Sequence, residues 1–136
     1  MGEYAVNKRV PSRKPSSADG CKIAFVFEYP TNKEAIANTI LQGGTGKVFA
    51  ELCQIAGINL DDCLLTHTIQ LKAHQNTAQH FFHKRNAYKR LCKTQDWRSP
   101  YPPTKEGYLK QEYEQDIQRL HKEIEEANPN IIIAMG

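Results

Sequence analysis

Long apolar runs are what this chain most lacks. No stretch approaches the roughly 20 consecutive apolar residues that a membrane helix needs, so no membrane partner is expected. Nothing near the N-terminus resembles the apolar core of a signal peptide. Residues 1–20 are instead rich in Ser, Pro, Lys and Arg, and they are expected to form a flexible basic leader. Paired cysteines are lacking too. Cys21, Cys53, Cys63 and Cys92 form no C-x-x-C, and two of them sit at the starts of predicted strands. They read as small buried thiols of a cytoplasmic protein (host cytoplasm, for a viral one) without disulfides. His74, His80 and His83 have neither an H-E-x-x-H acid nor a nearby cysteine pair, so no metal site is expected. A nucleotide loop is missing as well. In Gly43-Gly44-Thr45-Gly46-Lys47, Leu41 stands where the first Gly of G-x-x-x-x-G-K-[ST] is required, and Val48 follows the Lys.

What is present fits one domain. The 136 residues are 40% hydrophobic and 24% charged, enough for a core and ordinary for a globular chain. The net charge of +3 is unevenly spread. Lys84, Arg85, Lys89, Arg90, Lys93 and Arg98 form a basic stretch, whereas Glu112, Glu114, Asp116, Glu123, Glu125 and Glu126 lie close together near the C-terminus. A basic patch of this kind allows a polyanionic partner without requiring one.

Two buried-type strands end abruptly in polar residues: residues 22–28 run into Glu28-Tyr29-Pro30, and residues 63–70 carry Thr66-His67-Thr68. A third run, Ile131 to Gly136, closes the chain. Between the first two, a helical turn is expected near Lys33–Asn38. A helix is expected over 47–56, with Val48, Phe49, Leu52, Ile55 and Ala56 sharing a core face and Gly57 behind it. Residues 72–108 form a basic, aromatic insert: a helix over 76–92, then a loop stiffened by Pro100, Pro102 and Pro103. The main helix is expected from Thr104 to Ala127, with Tyr113, Ile117, Leu120 and Ile124 as its buried stripe. The order β-loop-α-β-insert-α-β implies an α/β fold, a three-layer α/β/α domain over residues 21–136 with a short parallel sheet of three strands. A ligand would bind at the carboxyl ends of those strands, where residues 28–34, 43–46 and 66–68 converge.

Phe27-Glu28-Tyr29-Pro30 followed by Glu34, Gly43-Gly44-Thr45-Gly46 opening a helix, Ala56-Gly57-Ile58 ending it, Thr66-His67, and Asn128-Pro129-Asn130-Ile131-Ile132-Ile133-Ala134-Met135-Gly136 form an ordered set. That set resembles the uracil-DNA glycosylase superfamily, in the branch of the thermophile-type enzymes and the domains related to phage DNA polymerases. The resemblance covers about residues 22–136. It implies that Glu28 and Glu34 are the loop acids that orient or support the attacking water, next to an oxocarbenium-like sugar. It implies that Tyr29, Pro30, Leu41 and His67 line the pocket for a flipped base, and that Gly43, Gly44, Thr45 and Gly46 let the backbone approach phosphate. The basic residues Lys84, Arg85, Lys89 and Arg90, interleaved with Phe81, Phe82, Tyr88, Trp97 and Tyr101, are candidates for further DNA contact. The same aromatics could instead pack the insert onto the sheet.

The chain departs from the family pattern at informative places. Leu41 stands where the family has a stacking Phe, and His67 where it has a base-reading Asn. The cluster-ligating cysteines of many relatives have no counterparts, so no cofactor is expected. The family's last strand and histidine-bearing loop would lie beyond Gly136, which makes the domain incomplete at its C-terminus by that pattern. Three functions stay open. One is a glycosylase-type enzyme acting on single-stranded or flipped-base DNA in repair, by base excision. Another is a catalytically inactive DNA- or protein-binding module of a phage-type replication assembly. The third is an unrelated nucleotide-handling protein. Strand Ile131–Met135 would be a sheet edge, expected either to self-associate or to dock a replication protein.

Overall fold

The computed structural model describes residues 8–17, 20–73 and 77–135; His74, the first seven residues of the leader and Gly136 lie outside them. The chain divides into two compact units, one formed by Met1–Lys72 with Asp116–Gly136 and one by Ala73–Gln115.

The first unit is built on a three-stranded parallel sheet. β1 (Ile23–Phe27) lies in the centre, β2 (Cys63–His67) on one side, and a strand at Ile131–Met135, the fifth in chain order (β5), on the other. The register sets Ile23 opposite both Cys63 and Ile131, and Phe27 opposite both His67 and Met135. Strand alternation then sorts the core into two faces. Ile23, Phe25, Phe27, Cys63, Leu65, Ile133 and Met135 face the cluster completed by Ile40 and by Phe49 and Cys53 of helix α2 (Gly43–Ile55). Ala24 and Leu64 face the other way, against Cys21, Ile124 and Ala127. Ile124 and Ala127 belong to helix α4 (Glu114–Ala127). This is the α/β architecture expected from the order of elements, with helices on both faces of the sheet.

Several expectations are corrected. The helix over 47–56 starts earlier, at Gly43, and its core face is Phe49 and Cys53, whereas Val48, Leu52 and Ile55 point to solvent. The buried residue of α4 is Asp116; Ile117, Leu120 and Ile124 are only half-buried. The leader differs most. Residues 8–17 are laid along β2: Arg13 N–H donates to Leu65 O (2.8 Å) and Leu65 N–H to Arg13 O (2.9 Å), while Val10 is fully buried. Edge backbone groups of β2 need partners, and this short strap supplies them.

Polar side chains of α4 hold the strap and the end of β2 together. Arg9 forms a two-pronged pair with Asp116, at 2.9 and 3.3 Å, and Asp116 also accepts the Gln70 N–H. Arg119 donates to the carbonyls of His67 (2.7 Å) and Thr68 (3.0 Å) and to Glu123 (2.8 Å). Glu123 in turn accepts from Thr66 (2.7 Å) and Ser12 (2.6 Å). Charges are tolerated there because each finds a partner of opposite sign or a hydrogen-bond donor.

The second unit replaces the expected helix over 76–92 with shorter pieces. A 3-10 turn at Ala78–Phe81 leads into β3 (Phe82–His83), and helix α3 follows at Arg85–Gln95. β3 pairs antiparallel with β4 (Tyr108–Leu109), which cuts short the helix expected from Thr104. Gly107 makes this pairing possible. Its φ is +118°, and a Cβ there would lie 2.2 Å from His83 O, so only glycine fits. The aromatics of the insert pack on one another: Tyr88 stacks on Tyr108 at 3.8 Å, and Trp97 meets both Tyr88 and His83 edge-on.

Replacing Asp116 by Ala removes a carboxylate with 0% side-chain exposure and leaves the Gln70 amide without its acceptor. Arg9, at 37% side-chain exposure, can turn to water. The expected cost is therefore about 2–3 kcal/mol rather than the full cost of orphaning a buried charge. It should appear as a lower urea midpoint with an unchanged slope.

Candidate active site

At the carboxyl end of the sheet, the first unit has a cavity of about 350 Å³, a size suited to a small organic group. Its apolar walls are Phe27 and Met135 from the strand ends, Leu41, and Phe49 from α2; Glu28, Tyr29, Gln42 and Thr45 supply polar groups. The walls are positioned by a short helix, α1 (Asn32–Ala37), and by the turn that follows it. Thr31 caps α1 reciprocally: Glu34 N–H donates to Thr31 Oγ1 (3.2 Å) and Thr31 N–H donates to Glu34 Oε1 (3.0 Å).

Glu34 does more than cap. Its second oxygen accepts the Leu41 N–H at 2.7 Å, and His67 Nε2 lies 3.2 Å from Oε1. An ionised carboxylate can only accept, so His67 must present Nε2–H there. Leu41 has φ +61°, a left-handed conformation that costs an L-residue about 1–2 kcal/mol. The short bond to Glu34 holds it in place. Gly46 is needed for the same reason, because a Cβ there would lie 2.5 Å from the Leu41 carbonyl carbon. Burial alone pushes the Glu34 carboxyl up, but His67 and the amides of Thr31 and Leu41 outweigh it and hold the group below the ordinary carboxylate value of 4.5.

The sites expected from sequence therefore separate. Glu28 is exposed at the end of β1 and lines the cavity; its carbonyl accepts the Ile69 N–H (3.1 Å), while its carboxylate has no hydrogen-bond partner among the described residues. Glu34 borders the cavity but is 6% exposed, its carboxylate already held by two amides and an imidazole. Tyr29 and Leu41 line the cavity. Pro30 and His67 are fully buried and do not line it, and His67 Nδ1 has no partner among the described residues. His67 is thus placed to orient Glu34 rather than to read a ligand. Of the glycine loop, Thr45 and Gly46 border the cavity, and Gly46 serves the close approach to Leu41; Gly43 and Gly44 are exposed. Lys84, Arg85, Lys89 and Arg90 are exposed in the second unit, at the N-cap and along the outside of α3.

Two cavity residues were not singled out in the sequence. Phe49 sits edge-on to Phe25 (5.0 Å) and Phe27 (5.4 Å) and forms an aromatic wall, yet its helical spacing marks only a core face. Gln42 precedes α2 without using its side chain as a cap, and it lines the cavity. A Gln at a loop–helix junction carries no motif by which it could have been found. Among the described residues no His, Cys, Asp and Glu gather in a group fit to hold a metal. Cys53 and Cys63 are buried, and burial pushes both thiols up, away from the reactive thiolate. Comparison with protein-family models and with curated proteins finds no match for this chain.

The sign of the Glu34 effect is fixed. Its folded-state pKa lies below 4.5, so the stability it supplies is complete above that value and is lost as pH falls through the folded-state midpoint. Glu34→Gln should cost about 2–3 kcal/mol at pH 7, because its amide turns a donor toward an N–H or toward His67. In parallel denaturation series, the gap between the two proteins should narrow as pH falls below 4.5 and through the folded-state midpoint.

Proposed function

We propose that this chain is a uracil-DNA glycosylase-like domain that takes a flipped nucleobase into the cavity beside Glu28 and hydrolyses its N-glycosidic bond. The observation that carries the reading is the division of labour between the two loop acids. Glu34 is consumed in holding the Leu41 turn, which leaves Glu28 as the carboxylate free to orient a water. In the reaction the C–N bond to the base breaks as the sugar gains oxocarbenium character; water adds at the sugar carbon, and its proton passes to the carboxylate. Phe49 and Tyr29 supply the flat apolar walls that a base requires, and Gln42 offers an amide for its polar edge, the part first assigned to His67. None of the described residues lining the cavity carries a positive charge, so these residues offer the departing base neutral donors.

The exposed cations of α3 support a DNA partner through its phosphates. Tyr88, Trp97 and Tyr108 are engaged with one another, which favours backbone contact over base stacking in that unit. The same observation favours a second reading, a non-catalytic DNA-binding module of a replication assembly, in which the cavity is a remnant.

Single-turnover cleavage of uracil-containing single- and double-stranded DNA, followed by alkali, separates the two. Glu28→Gln should lower cleavage by at least about 100-fold while leaving DNA binding intact. Gln42→Ala should lower it and blur discrimination among bases. Lys89→Ala combined with Arg90→Ala should weaken binding to every sequence alike and flatten its salt dependence. Absence of cleavage by the unaltered protein, with salt-sensitive binding retained, would favour the binding module.

A further inference from the structure

The cavity at the carboxyl end of the sheet joins two kinds of surface. Phe27, Tyr29 and Phe49 line it, and the rings of Phe27 and Phe49 meet edge-on, 5.4 Å apart at 79°. Aromatic rings carry negative charge on their faces and attract cations. Glu28 and Glu34 border the same space. The Glu28 carboxylate is exposed there, with no hydrogen-bond partner among the described residues to offset its charge. Glu34 is ionised as well, because the Thr31 and Leu41 amides and His67 hold it below its ordinary value of 4.5. A cleft with apolar walls and charge of one sign focuses its field on whatever enters. Carboxylates and ring faces here act in the same direction: they favour a flat cation and oppose an anion.

That sign matters for breaking an N-glycosidic bond. When uracil is expelled, the electron pair of the broken C–N bond stays on the base. The base then leaves as an anion, against the charge of both carboxylates. A purine alkylated at a ring nitrogen is already positive, and the same electron pair makes it neutral. Water adds at the sugar carbon, and its proton passes to Glu28 and then to solvent, so the step balances with water alone.

Resting on the glycosylase-like reading above, we infer that the cavity selects a positively charged nucleobase, an N-alkylated purine, in preference to uracil. The aromatic walls take the flat face of such a base, and Glu28 and Glu34 complement its charge.

Two measurements on the full chain test this. The first compares, by ligand-observed NMR, the binding of 1-methyladenosine, a cation at neutral pH, with that of neutral adenosine. The cation should bind at least about tenfold more tightly. Glu28→Gln should remove most of that preference without unfolding the chain, since the carboxylate it replaces has no hydrogen bond to lose among the described residues. The second follows single-turnover base release from oligonucleotides carrying 7-methylguanine or uracil, corrected for spontaneous depurination. Release of 7-methylguanine should be at least about tenfold faster.

Equal binding of the two nucleosides, binding of neither, or a preference that survives Glu28→Gln would overturn the inference. Faster release of uracil than of 7-methylguanine would overturn it too, and would leave the glycosylase reading standing. Glu28-dependent preference for 1-methyladenosine with neither base released would uphold the selectivity and remove the glycosylase reading.

Discussion

The carboxylate of Glu34 is the constraint on which the cavity depends. It is removed from water and would be costly there, yet it is surrounded by the donors it needs: the Thr31 and Leu41 amides and the His67 imidazole. Each donor belongs to a different part of the chain. Thr31 opens α1, Leu41 lies in the turn beyond it, and His67 ends β2. One charged group thereby ties the loop after β1 to the neighbouring strand, and the left-handed Leu41 and the close-set Gly46 follow from it. The cavity walls are positioned by this clamp, and Glu28 is left outside it.

The same logic operates at the other face of β2. Arg119 takes the carbonyls of His67 and Thr68, and Glu123 takes Thr66 and Ser12, so α4 grips the strand end and the N-terminal strap together. His67 is thus held on both its backbone and its ring. The strand ends that frame the cavity are over-determined, which suits a site that must hold its shape.

Much of this was legible in the sequence, and the failures have specific causes. The strands were legible because Ile23–Phe27 and Ile131–Met135 are short apolar runs rich in β-branched or aromatic residues, the first running straight into polar residues. The sheet face of α4 was misjudged because Asp116, Arg119 and Glu123 share it with Ile124, and a period of 3.6 finds only apolar stripes. In α2 the apolar residues cover more than one flank, so periodicity could not say that Val48, Leu52 and Ile55 stay in water. The motif Thr31-x-x-Glu34 is a capping box, readable locally, but its third bond to Leu41 and its partner His67 come from tertiary structure. The strap could not be foreseen, because its bonds to β2 are backbone bonds that no side-chain pattern announces.

The clamp is tested most directly by following the Thr31 and Leu41 amide resonances by NMR while pH is lowered on the folded protein. Both amides donate to one carboxylate, so they should shift together, with a single midpoint below 4.5. Separate midpoints, a common midpoint above 4.5, or a Leu41 amide that does not respond would contradict the account of Glu34 as the ionised centre of the site.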